Sequence, residues 1–165
     1  MTTVTYPGAA PISALLVLAA TLIGTAMPVA AQADPTAVVT PTLEDAESYF
    51  SQGRFQHEKG NLEAAIALYT EALAMESDYL LAYASRAGAY GALAEYDAAI
   101  SDYTSALELD PELAAAYGGR GVARYYLEDI NGSVADLWQA AQLYRAQGDE
   151  VSYFVTLDLL SGVAP

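Results

Sequence analysis

The chain has no cysteine, a single histidine and only 6 basic residues among 165. Without cysteine there is no disulfide framework, no thiolate metal site and no thiol to accept a lipid. The lone histidine, His57, sits beside Glu58 on an exposed helix face, where a solvated side chain is the simplest reading. The zinc-binding His-Glu-x-x-His, the glycine loop ending in Gly-Lys-Ser/Thr and the nucleophile elbow Gly-x-Ser-x-Gly are all missing. Acidic residues number 21, for a formal charge of −15. Such a surface repels phosphate backbones and anionic lipid, which argues against a nucleic-acid partner. The acids are scattered along helical patterns, as a solvated face is. Glu128 to Gly132 is the one local cluster of oxygen ligands, and it is too short for a calcium loop. No enzyme activity, cofactor or metal is expected.

Charge is missing altogether from residues 1–33. Within them Ile12 to Ile23 reads ISALLVLAATLI, the length of a signal-peptide core and short of the roughly 20 apolar residues a spanning helix needs. Gly24 and Pro28 follow as breakers, and Ala31-Gln32-Ala33 puts small residues where signal peptidase reads. Residues 1–33 are therefore expected to be a signal peptide, and the protein to be exported to the periplasm or secreted. The leading stretch lacks Lys and Arg, which departs from the pattern and leaves a second reading open, a membrane anchor retaining residues 12–31. A membrane contact is expected only in that case. Residues 34–41, DPTAVVTP, read as a linker.

What remains repeats. Ala99-Ile100 and Ala106-Leu107 have counterparts 34 residues upstream at Ala65-Ile66 and Ala72-Leu73, and downstream at Ser133-Val134 and Ala140-Ala141. The units are 46–79, 80–113 and 114–147, with no insertion between them. Each holds two helical patterns separated by a turn signal: Lys59-Gly60-Asn61, Ala94-Glu95 and Glu128-Asp129. Thr42 is expected to cap the first helix with Asp45 as its partner, and Pro111 to sit just inside the start of the fifth. Tyr83, Ala87 and Tyr90 share one face of a first helix, and Ala99, Tyr103 and Ala106 one face of a second. Small residues let the backbones approach while aromatics fill the gaps, and one such pair buries too little to stand alone.

The period and these residues resemble the tetratricopeptide repeat family over 46–147. The second unit carries the pattern most fully, with Tyr83, Ala87, Tyr90, Tyr96, Ala99, Tyr103, Ala106 and Pro111. The first keeps Tyr49, Gly53, Ala65, Tyr69 and Ala72, with Gln56 where an aromatic is usual. The third keeps Tyr117, Gly121 and Ala140, with Arg124 at the aromatic site and Ser133 at a usual alanine. The resemblance implies an all-α fold: a right-handed solenoid of three helix-turn-helix repeats closed by a capping helix. Residues 149–161 are assigned that role, with Val151, Phe154, Val155 and Leu159 as the covering stripe. Trp138 is placed at a packing seam.

Two pairs of opposite charge recur in register. Arg86 and Asp102 in the second unit match Arg120 and Asp136 in the third, whereas Gln52 and Leu68 replace both in the first. Present together or absent together, they read as structural ion pairs. The alternative is an arginine that grips a ligand carboxylate. In proteins that the repeat resembles, the opposite face of each first helix lines a concave groove that takes peptides. Here that face is expected to offer Phe50, Arg54 and His57 from the first unit and Leu81, Ser85 and Ala89 from the second. The third unit adds Gly118, Gly119, Val122, Tyr125 and Tyr126. The Lys/Asn/Arg set with which chaperone-binding members clamp a terminal carboxylate is missing: Phe50 and Arg54 stand in two of its places, and Ser85, Ala115 and Gly119 carry no charge. The two glycines weaken a helix by about 1 kcal/mol each against alanine. They serve either a close-lying ligand or nothing beyond tolerance near the array's end. The expected role is a protein-interaction module or assembly scaffold outside the cytoplasm, with a protein or peptide partner; a small-molecule carrier using the tyrosine-rich end is the alternative. Similarity to exported bacterial members of the family favours the first.

Overall fold

The computed structural model describes residues 45–163. The expected signal peptide, the linker and the capping Thr42 lie outside the described residues. Among those described there are seven helices and no strand: α1 (Ala46–Glu58), α2 (Leu62–Met75), α3 (Leu80–Ala92), α4 (Tyr96–Leu109), α5 (Ala114–Tyr126), α6 (Ile130–Gln147) and α7 (Glu150–Val163). Each repeat is one hairpin, α1–α2, α3–α4 and α5–α6. Each second helix packs on the next first helix, and the first helices also touch one another, α1 with α3 and α3 with α5.

Local chemistry sets the ends. Asp45 caps α1, its carboxylate accepting the Ser48 N–H at 2.7 Å. Asp129 does the same for α6 through Gly132. Pro111 is not inside α5. It lies in the turn before Ala114, where Asp110 Oδ1 accepts the Glu112 N–H at 2.9 Å and holds the chain out of the helix. The three hairpin turns place equivalent residues in the left-handed region, Gly60 at φ 79°, Ala94 at 60° and Glu128 at 64°. Only the first is a glycine, so the other two turns carry a β-carbon penalty of about 1 kcal/mol each that the flanking helices must outweigh.

The core is built of alanine and filled by a few large side chains. Ala65, Ala72, Ala99, Ala106 and Ala140 are sealed from solvent, and so is Tyr69. Each second helix sends one large side chain into a gap left by a glycine. In the first repeat Gly53 provides it: a β-carbon there would stand 2.6 Å from the Tyr69 ring. In the second repeat the residue equivalent to Gly53 is Ala87, so Tyr103 turns instead toward the following repeat, and its ring occupies the β-carbon space of Gly119. In the third, Leu137 fills the space over Gly121, 3.0 Å from where a β-carbon would be. Gly119 therefore serves packing between repeats.

The last helix faces otherwise than its apolar stripe implies. α7 buries Thr156 and half-buries Ser152, Tyr153, Leu157 and Leu160. Val151, Phe154, Val155 and Leu159 are exposed by 76%, 63%, 57% and 41%. Thr156 tolerates burial because its hydroxyl donates to the Ser152 carbonyl at 2.7 Å, leaving its methyl to pack. Trp138 is likewise not in a seam. It is 57% exposed on α6, where its counterparts Thr70 and Thr104 each accept a hydrogen bond from an arginine of the next repeat.

The glycine–tyrosine fit makes a specific expectation. Gly119→Ala and Gly53→Ala should each lower stability by about 1–3 kcal/mol, although alanine favours a helix. Tyr103→Leu should recover part of the loss in Gly119→Ala and nothing in Gly53→Ala. Urea melts of the four variants check this; a Gly119→Ala protein as stable as the parent would contradict it.

Candidate functional site

The first helices stand side by side, and three successive openings run along them and end against α7. At the first-repeat end, Arg54, His57, Glu58, Tyr69, Ala84, Ser85 and Gly88 line a depression of about 360 Å³. Arg54 and Glu58 pair at 3.6 Å, exposed to solvent. His57 Nδ1 lies 3.4 Å from the Tyr69 hydroxyl. Burial pushes the Tyr69 phenol above its ordinary value, offset in part by a hydrogen bond with Ser85. In the middle, Gly88, Gly91, Tyr96, Tyr103, Gly119, Val122 and Tyr126 enclose about 210 Å³. Tyr96 and Tyr126 stack across the repeat boundary with centroids 4.7 Å apart and planes 6° off parallel. Burial raises the Tyr103 phenol above its ordinary value as well.

At the far end α7 forms the second wall. Ala115, Gly118, Gly119 and Val122 of α5 face Val151, Val155 and Leu159 of α7 across a cleft of about 250 Å³, with Tyr144 of α6 also lining it. It adjoins a cavity of about 290 Å³ between Val122, Tyr125, Tyr126 and Leu137 on one side and Asp158, Leu159, Gly162 and Val163 on the other. Three residues of the exposed stripe of α7, Val151, Val155 and Leu159, thus line the groove, and Phe154 lies in a separate cavity.

The expected groove residues divide accordingly. Arg54, His57 and Ser85 meet in the first depression, and Gly118, Val122, Tyr125 and Tyr126 in the far cleft. Leu81 is 52% exposed but lines none of these openings. Two assignments are corrected. Phe50 is core: it is 6% exposed and packs between Tyr69 and Tyr79, with centroids 5.8 and 5.0 Å away. Ala89 is fully buried; the groove residue one position earlier is Gly88. The residues of α7, together with Gly88, Tyr96 and Tyr144, were not anticipated in the groove. Counting the repeat strictly gives Gly88; nothing in the sequence says which side of α7 is left open.

The paired charges lie at the seams. Arg86 donates from Nε and Nη2 to both oxygens of Asp102, at 2.7 and 2.8 Å, and from Nη1 to Thr70 Oγ1 of the preceding repeat at 2.8 Å. Arg120 repeats this with Asp136, at 2.9 Å twice, and with Thr104 at 3.1 Å. Each threonine hydroxyl in turn donates a hydrogen bond to a backbone carbonyl, that of Ile66 or Ile100. The planes of Tyr83 and Tyr90 flank Arg86 at 5.8 and 6.0 Å. The hydrogen bond with the aspartate raises both arginines above their ordinary value, against the opposing effect of burial. With three of its nitrogens engaged in this way, each guanidinium ties two helices of its own repeat to the one before. Arg124, at the place where the second repeat has Tyr90, adds a further bond to Asp136 Oδ2 at 2.6 Å.

A family model described as tetratricopeptide repeat matches residues 46–79 and 80–113. Among solved structures, the chain is similar to the second such domain of Spaghetti (RPAP3) bound to the HSP90 peptide SRMEEVD. Identity is 32% and TM-score 0.59, over 61% of this chain and 93% of that one. The second domain of human RPAP3, in complex with the HSP70 peptide SGPTIEEVD, gives 28% and 0.64 over 73% and 95%. The domain of Arabidopsis OM64 gives 26% and 0.65 over 72% and 96%. No curated protein sequence matches the chain.

The seam chemistry is testable against the chain's own neutral version, Gln52 with Leu68. Asp102→Leu alone leaves a buried guanidinium uncompensated and should cost about 3–5 kcal/mol. The double variant Arg86→Gln with Asp102→Leu should recover most of that. A double-mutant cycle by chemical denaturation reads the coupling, and additive losses would refute the pair.

Proposed function

The chain belongs to the tetratricopeptide repeat family, and from that premise we propose that it is a protein-interaction module that holds a peptide or helix in the groove along α1, α3, α5 and α7. The observation that carries this is the far cleft, an open, largely apolar space between α5 and α7 that no side chain of the described fold fills. The similar domains of Spaghetti and human RPAP3, each with a bound peptide, support the same kind of partner. Catalysis has no comparable support: His57 is engaged with Tyr69, and the arginines of the seams are occupied by aspartate.

The working place we propose is outside the cytoplasm. The uncharged run Ile12 to Ile23 and the small residues Ala31 and Ala33 support export with cleavage. The same run supports a second reading, a scaffold tethered by residues 12–31, and the mass of the mature N-terminus separates the two.

A photo-crosslinking residue placed at Val122 should label a discrete partner in an envelope extract, while one at Glu71, exposed on α2, should not. Equal labelling from both, or labelling from Glu71 alone, would place the partner elsewhere and overturn the groove reading.

A further inference from the structure

We infer that the α5–α7 end of the groove takes an apolar segment carrying lysine or arginine, and refuses acidic peptides that end in a carboxylate. This rests on the groove reading above and gives it a partner chemistry. The walls are apolar and bare: Val151 and Val155 on α7, and Tyr125 and Tyr126 on α5, are each more than 40% exposed. They are contiguous, which single exposed side chains on a soluble surface are not. Gly118 lines the cleft with no side chain of its own, so a guest can lie close to the α5 backbone there.

Charge decides which apolar guest. The charged side chain lining the two far cavities is Asp158, and no basic residue lines either. Arg86, Arg120 and Arg124 make up half of the 6 basic residues and are held by Asp102, Asp129 and Asp136. Arg145 lies in a separate cavity with Glu150, Tyr153 and Phe154. Arg54 lies at the opposite end of the groove, already beside Glu58. A guest entering between α5 and α7 therefore meets apolar walls, one carboxylate and a chain of net charge −15. Cationic flanks gain from that field, and anionic ones are repelled. A terminal carboxylate would find no cation there to receive it.

The test measures binding of the full chain by fluorescence anisotropy with three labelled probes. They are an amphipathic leucine/lysine peptide of about five helical turns, a leucine/glutamate peptide of the same spacing, and SRMEEVD. The leucine/lysine probe should bind at least about tenfold more tightly than either other. Val155→Lys should weaken it about tenfold or more, and Asp158→Asn by a smaller, salt-sensitive factor, while Glu71→Lys leaves it unchanged. Both substituted valine and aspartate are exposed, and circular dichroism of each variant confirms the fold. Tighter binding of an acidic probe, itself lost in Val155→Lys, would overturn the partner chemistry and leave the groove reading standing. Binding lost in Glu71→Lys but not in Val155→Lys would show attraction to the acidic outer surface and overturn it too. Failure of all three probes likewise rejects this chemistry, and crosslinking from Val122 then judges the groove by itself.

Discussion

Two tyrosine rings enter this fold where a facing helix lacks a β-carbon, and the stack is organised around those two contacts. The first repeat makes one within its own hairpin, Tyr69 over Gly53. The second cannot, because Ala87 stands in that place, and Tyr103 crosses to Gly119 of the third repeat instead. One tyrosine therefore locks a hairpin and the other locks two hairpins together. The arginine of each later repeat adds a directional bond at the same boundary, reaching back to Thr70 or Thr104 while closing on its own aspartate. Alanine elsewhere brings backbones close but specifies little, so these few contacts set the register.

Function follows from what the stacking leaves over. The inward faces of the second helices and the seams are consumed by packing and pairing. The outward faces of the first helices are not, and α7 adds an apolar wall to them. The separation of charge has the same origin. The arginines are drawn into seams by aspartates, so the solvent-facing surface keeps an acidic excess and the far cleft has no cation of its own.

Much of this was legible in the chain. The 34-residue spacing located the hairpins, and the joint presence of Arg86 with Asp102 and Arg120 with Asp136 pointed to contact, since an isolated charge at a seam would be costly. Their reach to the preceding threonines was not legible, because Thr70 and Thr104 read as ordinary exposed helix residues. Phe50 was misplaced because helical spacing gives a direction but not a reach, and its ring bends into the core beside Tyr79. The apolar stripe of α7 misled for a related reason. Periodicity shows which residues share a face, whereas the buried face here holds Thr156, its hydroxyl bonded locally, with Tyr153, Leu157 and Leu160 beside it. Trp138 shows the same limit: a residue type suited to a seam stands exposed on α6.

If the ring-in-gap contacts and arginine bonds unite the hairpins, the described helices should open together. Native-state hydrogen exchange is the direct measurement. The most protected amides of α2, α3, α4 and α5 should exchange with one common opening free energy, equal to that of global unfolding. A first hairpin that exchanges several kcal/mol more easily than the second would contradict this, showing repeats that stand beside one another without being joined.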